Sequence, residues 1–356
     1  MLKLDLRDYG LSERFEREAT LHHNLSIARV SEQHRGAYKV ISANGEVSAR
    51  VSGQFVHVTD DPIDYPTVGD WVMIEQADHG SDSTIIRNVL TRKSILARQS
   101  AGTSGSGQAI AANIDTVFIC MSVNDDFNLR RLERYLAIAW DSRATPVIVL
   151  TKSDLSDNLQ ERLNDVSTVA LGVDVIVCTS EGEGGYDAVR DYIGRDKSLV
   201  FIGSSGVGKS TLINNLAGQD VMTTREIRSG DDKGRHATTH RQLLLLPQGG
   251  IVIDTPGMRE LQMRDGNISK TFEDIEDIAS QCKFRNCSHE SEVGCAIRKA
   301  IDVGALPEER FDSYLKLQRE IVYSGLSSRQ VENEKIHSWF KSKNEMKQFK
   351  RNLKKR

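Results

Sequence analysis

The sequence contains no apolar run long enough to cross a membrane, has only five cysteines, and carries a formal net charge of −3 over 356 residues. The lack of a long apolar run excludes a transmembrane helix. No secretory leader is recognisable either, so we expect a cytoplasmic protein without membrane contacts. Because the chain is nearly neutral, its overall charge does not indicate a polyanionic partner. The length and a hydrophobic content of 38% allow two or three domains with their own cores.

A glycine-rich segment predicts a phosphate-binding loop. Residues 203–211 read GSSGVGKST and lie between an apolar run at 198–202, typical of a buried parallel strand, and an apolar-faced helix over 211–216. Glycines let the backbone N–H groups of such a loop face phosphate oxygens. Lys209 reaches the β and γ phosphates, and the Ser210 hydroxyl can hold Mg²⁺. The alternative interpretation is a glycine-rich surface turn.

DTPG, residues 254–257, follows an apolar run and predicts a second contact with the phosphates. Asp254 at the end of a strand can hold the shell of Mg²⁺, and Gly257 can donate its backbone N–H to a γ phosphate. The segment comes about 45 residues after the phosphate loop, which fits the metal-aspartate role.

TKSD, residues 151–154, predicts the part of the site that recognises guanine. It follows an apolar run at 146–150, so it lies at the carboxyl end of a strand, where open α/β sheets bind ligands. Asp154 can accept hydrogen bonds from the N1–H and N2–H₂ groups of guanine, which adenine does not offer. Lys152 could cover the base, and Thr151, where asparagine is expected, can make one bracing hydrogen bond. Read alone, TKSD also fits a polar turn.

These segments together predict one guanine-nucleotide site. A further strand over 173–178 precedes Thr179 and Ser180, where a backbone N–H could meet the guanine O6. The residues expected to bind GTP are Thr151, Lys152, Ser153, Asp154, Thr179, Ser180, Gly203, Ser204, Ser205, Gly206, Val207, Gly208, Lys209, Ser210, Thr211, Asp254 and Gly257. Because TKSD precedes the phosphate loop, the reverse of the usual order, we predict a circularly permuted P-loop GTPase domain of the α/β class with a mostly parallel sheet.

Four residues further along predict a structural zinc site. Three thiolates and one imidazole form a closed tetrahedral set, and the spacing is compact enough to close on one ion. The expected zinc ligands are Cys282, Cys287, His289 and Cys295. One alternative is three unrelated cysteines with a surface histidine, and the other is a disulfide, which would leave one of the three cysteines over.

The phosphate loop, DTPG, the upstream TKSD and the Cys/Cys/His/Cys cluster together resemble the ribosome small-subunit-dependent GTPases of the RsgA (YjeQ/EngC) family, across essentially the whole chain. Residues 234–243 resemble that family's first switch, and residues 108–118 resemble the start of its GTPase domain. The resemblance implies a GTP-hydrolysing factor that binds GTP and GDP, engages the small (30S) ribosomal subunit and its 16S rRNA, and assists late subunit maturation. It also implies one structural Zn²⁺, and Mg²⁺ bound with GTP.

The remaining chain agrees with a three-part layout. Short runs at 37–41, 47–51, 54–58 and 70–75 suggest strands of a small all-β barrel, either OB-like or, as the alternative, an SH3-like barrel or sandwich. The Ser/Gly-rich composition of residues 100–107 predicts a flexible linker. The predicted divisions are an N-terminal extension with an OB-like barrel (1–99), a linker (100–112), the permuted GTPase domain (113–276), and a mostly helical zinc-binding domain with a basic C-terminal helix (277–356).

The residue that orients the attacking water is not evident. Met258 stands where many GTPases have a glutamine, and a thioether cannot orient water, so we expect slow intrinsic turnover. His236 is the candidate catalytic residue, because neutral imidazole could hydrogen-bond the water. A histidine that only packs or binds RNA is the alternative. The expected magnesium ligands are Ser210, Asp254 and either Thr238 or Thr239.

The segment 335–356 is strongly basic, with nine Lys or Arg and one Glu, and it includes Trp339, Phe340 and Phe349. It could lie on RNA phosphates, or it could be a solvated tail. Two other functions stay open: an RNA- or ribosome-binding scaffold that uses GTP with negligible turnover, and an ATP-dependent kinase, against which TKSD argues. Nothing in the sequence suggests an obligate dimer, so we expect a monomer.

Overall fold

The computed structural model describes residues 4–34, 36–76, 84–99, 107–179, 185–221, 241–254, 261–263 and 267–324. These residues form a barrel, an α/β sheet and a group of helices, in that order along the chain, and the predicted fold class is confirmed. None of the helices in these ranges is long and apolar enough to cross a membrane.

The N-terminal part is a closed five-stranded barrel. Its strands are β1 (Ser26–His34), β2 (Ala37–Ser42), β3 (Gly45–Val51), β4 (Trp71–Glu75) and β5 (Thr84–Val89). β1 pairs with both β2 and β4, and the circle closes through β3 and β5, which are parallel to each other. This closed order gives the predicted OB-like barrel rather than an open sandwich. Inward-pointing apolar side chains fill it, namely Ala28, Val30, Val40, Val72, Ile74 and Ile86.

Short helices cover the barrel. They are the 3-10 helices Leu6–Tyr9 and Pro62–Asp64 and the α-helices α1 (Glu13–Ala19) and α2 (Gly53–Val58). The expectation of a strand at 54–58 is wrong, because these residues form α2. The Ser52 hydroxyl accepts a hydrogen bond from the Phe55 N–H at 3.0 Å, and this N-cap outweighs the strand preference of the β-branched residues.

A small three-stranded sheet follows the barrel. It consists of β6 (Ile95–Gln99), β7 (Gly107–Ala112) and, from a later part of the chain, β14 (Leu261–Gln262), with β6 in the centre. β7 occupies the second half of the segment 100–112, which the sequence assigned to a linker. Residues 109–112 are buried and β7 pairs with β6, so this half of the segment is part of a sheet and not a flexible linker. The division into domains stays a prediction.

The α/β region is built on six strands: β8 (Thr116–Ser122), β9 (Thr145–Thr151), β10 (Asp174–Val177), β11 (Ser198–Ile202), β12 (Arg241–Leu245) and β13 (Ile251–Asp254). Their spatial order is β10-β9-β8-β11-β13-β12. All neighbours are parallel except β12, which is antiparallel to β13. β12 also pairs with β1, so the barrel and the α/β region share one continuous sheet.

Helices flank this sheet: α3 (Leu129–Asp141), a 3-10 turn (Ser153–Leu155), α4 (Leu159–Val169), α5 (Asp187–Arg190) and α6 (Lys209–Ala217). α3 begins where the Asn128 side chain accepts a hydrogen bond from the Arg131 N–H at 2.9 Å, a regular N-cap. It buries Leu132, Leu136 and Ile138. The predicted strands at 146–150, 173–178 and 198–202 and the predicted helix over 211–216 are confirmed, with small shifts at their ends.

The C-terminal part is helical, with α7 (Glu273–Ser280), α8 (Ala296–Asp302) and α9 (Glu308–Ser324). α9 packs against α3, and the apolar side chains of Phe272, Ile297 and Phe311 are buried in the same core as the α3 side chains. The basic segment 335–356 lies outside the described residues.

Candidate nucleotide site and metal centre

The phosphate loop connects β11 to α6 and needs glycine at two positions. Gly203 has a φ of 146°, and a Cβ atom there would lie 2.3 Å from the carbonyl oxygen of Cys120 on β8. Gly208, directly before α6, has a φ of 97°, in the region that favours glycine. The loop can therefore turn tightly beside β8 and into the helix only with these residues.

Lys209 lies in the first turn of α6, near the positive end of the helix dipole. Its ammonium group donates hydrogen bonds to the carbonyl oxygens of Gly203 and Ser204, at 2.8 and 2.6 Å. The lysine side chain thus folds back along the loop. A cation here, together with the N–H groups at the start of α6, favours an oxyanion.

Thr151 joins the TKSD segment to the phosphate loop. Its hydroxyl donates a hydrogen bond to the carbonyl oxygen of Val207 at 2.6 Å, and the residue is only 4% exposed. TKSD and the phosphate loop are more than 50 residues apart in sequence, yet this bond makes them one site.

Asp154 lies at the other end of TKSD, beside the loop that follows β10. Its carboxylate accepts a hydrogen bond from the Thr179 hydroxyl at 2.6 Å, and the Ser153 N–H donates to the carbonyl oxygen of Cys178 at 3.3 Å. The two segments predicted to surround guanine are therefore in contact, and the Asp154 carboxylate lies at the contact between them.

Asp254 ends β13, which is the parallel neighbour of β11. Since the carboxyl ends of parallel neighbours lie at the same sheet edge, Asp254 is at the edge from which the phosphate loop begins. Several residues predicted for the site lie outside the described residues, namely Ser180, His236, Thr238, Thr239, Gly257 and Met258.

Sequence reasoning did not include Arg131, which the structure places against the phosphate loop. Its guanidinium donates to the Ser204 hydroxyl at 2.5 Å. The contact joins residues 73 positions apart, and its only local signal is a basic residue beside the N-cap of α3.

The four predicted zinc ligands come together in the segment between α7 and α8. The potential ligand atoms of Cys282, Cys287, His289 and Cys295 all lie within 4.8 Å of one another. The His289 Nδ1 is 3.6 Å from the Cys282 sulfur and 3.4 Å from the Cys295 sulfur. Two ligands of a tetrahedral zinc ion, one sulfur and one nitrogen, would be about 3.6 Å apart, so this donor set fits the metal.

The surroundings of two of these thiols shift their pKa values in opposite directions. Burial opposes ionisation of Cys282, but hydrogen bonds from the N–H groups of Ala296 and Ile297 and from the neighbouring thiols prevail and lower its pKa. Burial and the adjacent thiols raise the pKa of Cys287 to about 11, against a hydrogen bond from the His289 backbone. A bound cation would reverse this second shift, since metal ligands bind as thiolates.

The two other cysteines behave as buried apolar groups. Cys120 and Cys178 are almost completely buried, and burial raises the pKa of their thiols to about 12 and about 11. Neutral, inaccessible thiols are poor nucleophiles, so both residues serve packing.

Comparison with known proteins identifies the family. The family model described as RsgA GTPase matches residues 89–264. A protein of Lactiplantibacillus plantarum named small ribosomal subunit biogenesis GTPase RsgA 2 is 48% identical over 349 residues, which cover 98% of each chain. This chain belongs to the RsgA GTPase family. A second RsgA protein, from Methanosarcina acetivorans, is 42% identical over 318 residues, 88% of this chain and 85% of that protein.

Solved structures agree with the RsgA assignment. YjeQ from Thermotoga maritima has a TM-score of 0.60 and 25% identity, and covers 84% of this chain and 99% of its own. YloQ, described as a circularly permuted GTPase, has a TM-score of 0.56 and 27% identity, over 84% of this chain and 96% of its own. This chain is thus a GTPase whose motifs occur in circularly permuted order, as the position of TKSD upstream of the phosphate loop predicted.

Proposed function

We propose that the site at the carboxyl edge of the α/β sheet binds GTP with Mg²⁺. The phosphate loop residues 203–211 would hold the phosphates, and Ser210 and Asp254 would hold the metal with Thr238 or Thr239. Residues 151–154, with Thr179 and Ser180, would surround the guanine. The hydrogen bond from Thr151 to Val207 carries this proposal, because it connects the base side of the site to its phosphate side.

We further propose that the chain acts on the small ribosomal subunit and assists its late maturation, in the cytoplasm. Two relatives, 48% and 42% identical to this chain, are named small ribosomal subunit biogenesis GTPases. The OB-like barrel and the basic segment 335–356 are candidates for contacts with 16S rRNA, since OB barrels and Lys/Arg clusters are common nucleic-acid binders. Monomeric behaviour stays part of the proposal.

The catalytic step needs a group that orients water, and Met258 cannot supply it. His236 is our candidate. Turnover stimulated by the subunit should fall in His236→Ala while nucleotide affinity is kept. Turnover equal to that of the wild type would remove His236 from the mechanism.

The cluster of Cys282, Cys287, His289 and Cys295 is a candidate metal centre, and we propose zinc as the ion. Four protein ligands leave no open position, so the ion would stabilise the loop between α7 and α8 and take no part in hydrolysis. Metal analysis of the purified protein should find one zinc per chain.

Phosphate release from GTP tests the main proposal. It should be slow for the protein alone, faster with purified small subunits and unchanged with large subunits. No stimulation by small subunits would favour the alternative, a ribosome-binding scaffold with negligible turnover, which the presence of Met258 makes reasonable.

Guanine recognition can be tested by replacing one oxygen of the Asp154 carboxylate with an NH₂ group. In Asp154→Asn, one acceptor oxygen becomes an NH₂ donor, which would face the donors of guanine but match the 2-oxo group of xanthine. We expect weaker GDP binding and stronger xanthosine diphosphate binding. Equal loss for both nucleotides would indicate that Asp154 has only a structural role.

A further inference from the structure

Arg131 reaches the phosphate loop from a helix that forms no other part of the predicted nucleotide site. Its Nη1 donates to the Ser204 hydroxyl at 2.5 Å and to the two carboxylate oxygens of Asp126 at 2.9 and 2.8 Å. Ser204 is the second residue of the loop, and its carbonyl oxygen accepts a hydrogen bond from Lys209 at 2.6 Å. One loop residue therefore connects the phosphate-binding lysine to a guanidinium group on α3.

The ion pair with Asp126 directs the Arg131 side chain and adds little to fold stability. Both side chains are partly exposed, by 31% for Arg131 and 44% for Asp126. Ion pairs at such exposure are worth little, because water screens them. Anchoring by a carboxylate does, however, restrict the arginine to conformations that reach Ser204, and it offsets the positive charge when no phosphate is bound.

Two braces from different elements hold the loop at two points. Thr151, at the end of β9, binds the carbonyl oxygen of Val207, and Arg131, in the first turn of α3, binds the hydroxyl of Ser204. Ser205 and Gly206 lie between these points, and their N–H groups are among those expected to meet the phosphates. A loop held in its binding shape loses less conformational freedom when the ligand arrives.

We propose that Arg131 is a positioning residue for guanine nucleotides in this chain. Through Ser204 it fixes the first half of the phosphate loop in the shape that binds phosphates, and Asp126 keeps it directed at the loop. The proposal rests on the nucleotide site under the proposed function, and it assigns Arg131 no direct contact with the reacting atoms.

A double-mutant cycle with Arg131→Met and Ser204→Ala tests this role. Equilibrium titrations with GDP and a non-hydrolysable GTP analogue should show a loss of affinity of about five- to tenfold for each single variant. The double variant should be no weaker than the weaker single variant, because both changes remove the same bond. Thermal unfolding should be unchanged, and Arg131→Lys should recover part of the affinity.

Arg87→Met is the matched control, since Arg87 also pairs with one carboxylate, Glu75, at similar exposure, but on the barrel. Its nucleotide affinity should equal that of the wild type. Wild-type affinity in Arg131→Met, or additive losses in the double variant, would overturn the proposal while leaving the nucleotide site intact. If the wild-type protein itself binds no guanine nucleotide, the proposed function fails, and this inference fails with it.

Discussion

The buried hydroxyl of Thr151 connects the TKSD segment, which we propose to bind guanine, to the phosphate loop. In Thr151→Val the shape is kept, but the carbonyl oxygen of Val207 loses its donor at 2.6 Å. A lost partner at a buried acceptor costs about 1–3 kcal/mol, so we expect the affinity for GDP to fall by about tenfold. Equilibrium titration with a fluorescent GDP analogue measures this change.

The matched control is Thr168→Val on the exposed surface of α4. The Thr168 hydroxyl also donates to a backbone carbonyl, that of Asp165, at 2.7 Å. Because water can replace this bond, the control should bind GDP as the wild type does. Equal affinities for Thr151→Val and the control would show that the loop does not depend on the brace.

Glu292 organises the metal loop without being one of its four ligands. Its carboxylate accepts hydrogen bonds from the Ser288 hydroxyl and from the N–H groups of Ser288, Glu290 and Ser291. The bonds from Ser288, together with the backbone N–H groups of Glu292 and Ser291, lower the pKa of Glu292 to about 2. Because the pKa falls from 4.5 on folding, the ionised form stabilises the loop above about pH 4.5, and this stabilisation is lost as the pH falls towards 2.

Glu292→Gln should therefore bind zinc more weakly at pH 7, by a few-fold, in competition with a chromophoric chelator, because an amide accepts weaker hydrogen bonds than a carboxylate does. The control is Glu290→Gln, whose side chain has no described role in the loop. A variant Glu292→Gln with unchanged zinc affinity would show that the backbone forms the loop unaided.

At the scale of elements, the sequence predicted best where one face of an element is clearly apolar. The strands β9, β11 and β13 were predictable because their apolar runs end at TKSD, the phosphate loop and DTPG. α2 was not, because Phe55, Val56 and Val58 favour a strand while the signal for a helix is the single cap at Ser52. Residues 107–112 form β7 by pairing with the preceding strand β6, and the Ser/Gly-rich composition of residues 100–107 does not indicate where that pairing begins.

Arg310 holds three helices together. From α9 it binds Glu133 on α3 and Asp274 on α7, and its side chain is 4% exposed. Burial opposes its charge, but the two carboxylates prevail and raise the pKa of Arg310. In Arg310→Met the buried Glu133 carboxylate would keep only its pair with Arg130, whose side chain is 37% exposed. This loss should lower the free energy of unfolding by about 2–3 kcal/mol in urea titrations.

Two variants separate the buried charge from packing. Adding Glu133→Gln to Arg310→Met should recover part of the stability, because the buried carboxylate that lost one of its two arginines is then replaced by a neutral amide. Arg134→Met removes a pair with Glu320 between the same helices α3 and α9 at a more exposed position, and should cost no more than about 1 kcal/mol. Similar losses for Arg310→Met and Arg134→Met would contradict the role of burial.

At the scale of the whole molecule, the nucleotide site was more predictable than the joint between the barrel and the GTPase sheet. The combination of motifs predicted that TKSD and the phosphate loop belong to one site, and the bond from Thr151 to Val207 places the two segments in contact. By contrast, Arg29 on β1 is buried and donates to the Ser198 hydroxyl at the start of β11, 169 residues away, at 2.8 Å. Burial lowers the pKa of Arg29 to about 10, against the attraction of Asp115 and Asp70. A single arginine in a strand gives no sequence signal for such a distant partner.

Arg241 forms the second part of this joint. It begins β12, lies within the segment 234–243 that resembles the first switch, and donates to the Gln33 side chain on β1 and to the carbonyl oxygen of Ala109 on β7, both at 2.8 Å. Removing these donors in Arg241→Met should loosen the barrel from the sheet. We expect the unfolding free energy to fall by about 1–3 kcal/mol and calorimetry to resolve the barrel as an earlier transition. Arg195→Met is the control, because Arg195 also crosses the joint, to Asp8, but is largely exposed. It should unfold like the wild type, and a single unchanged transition in both variants would show that β1–β12 pairing alone holds the joint.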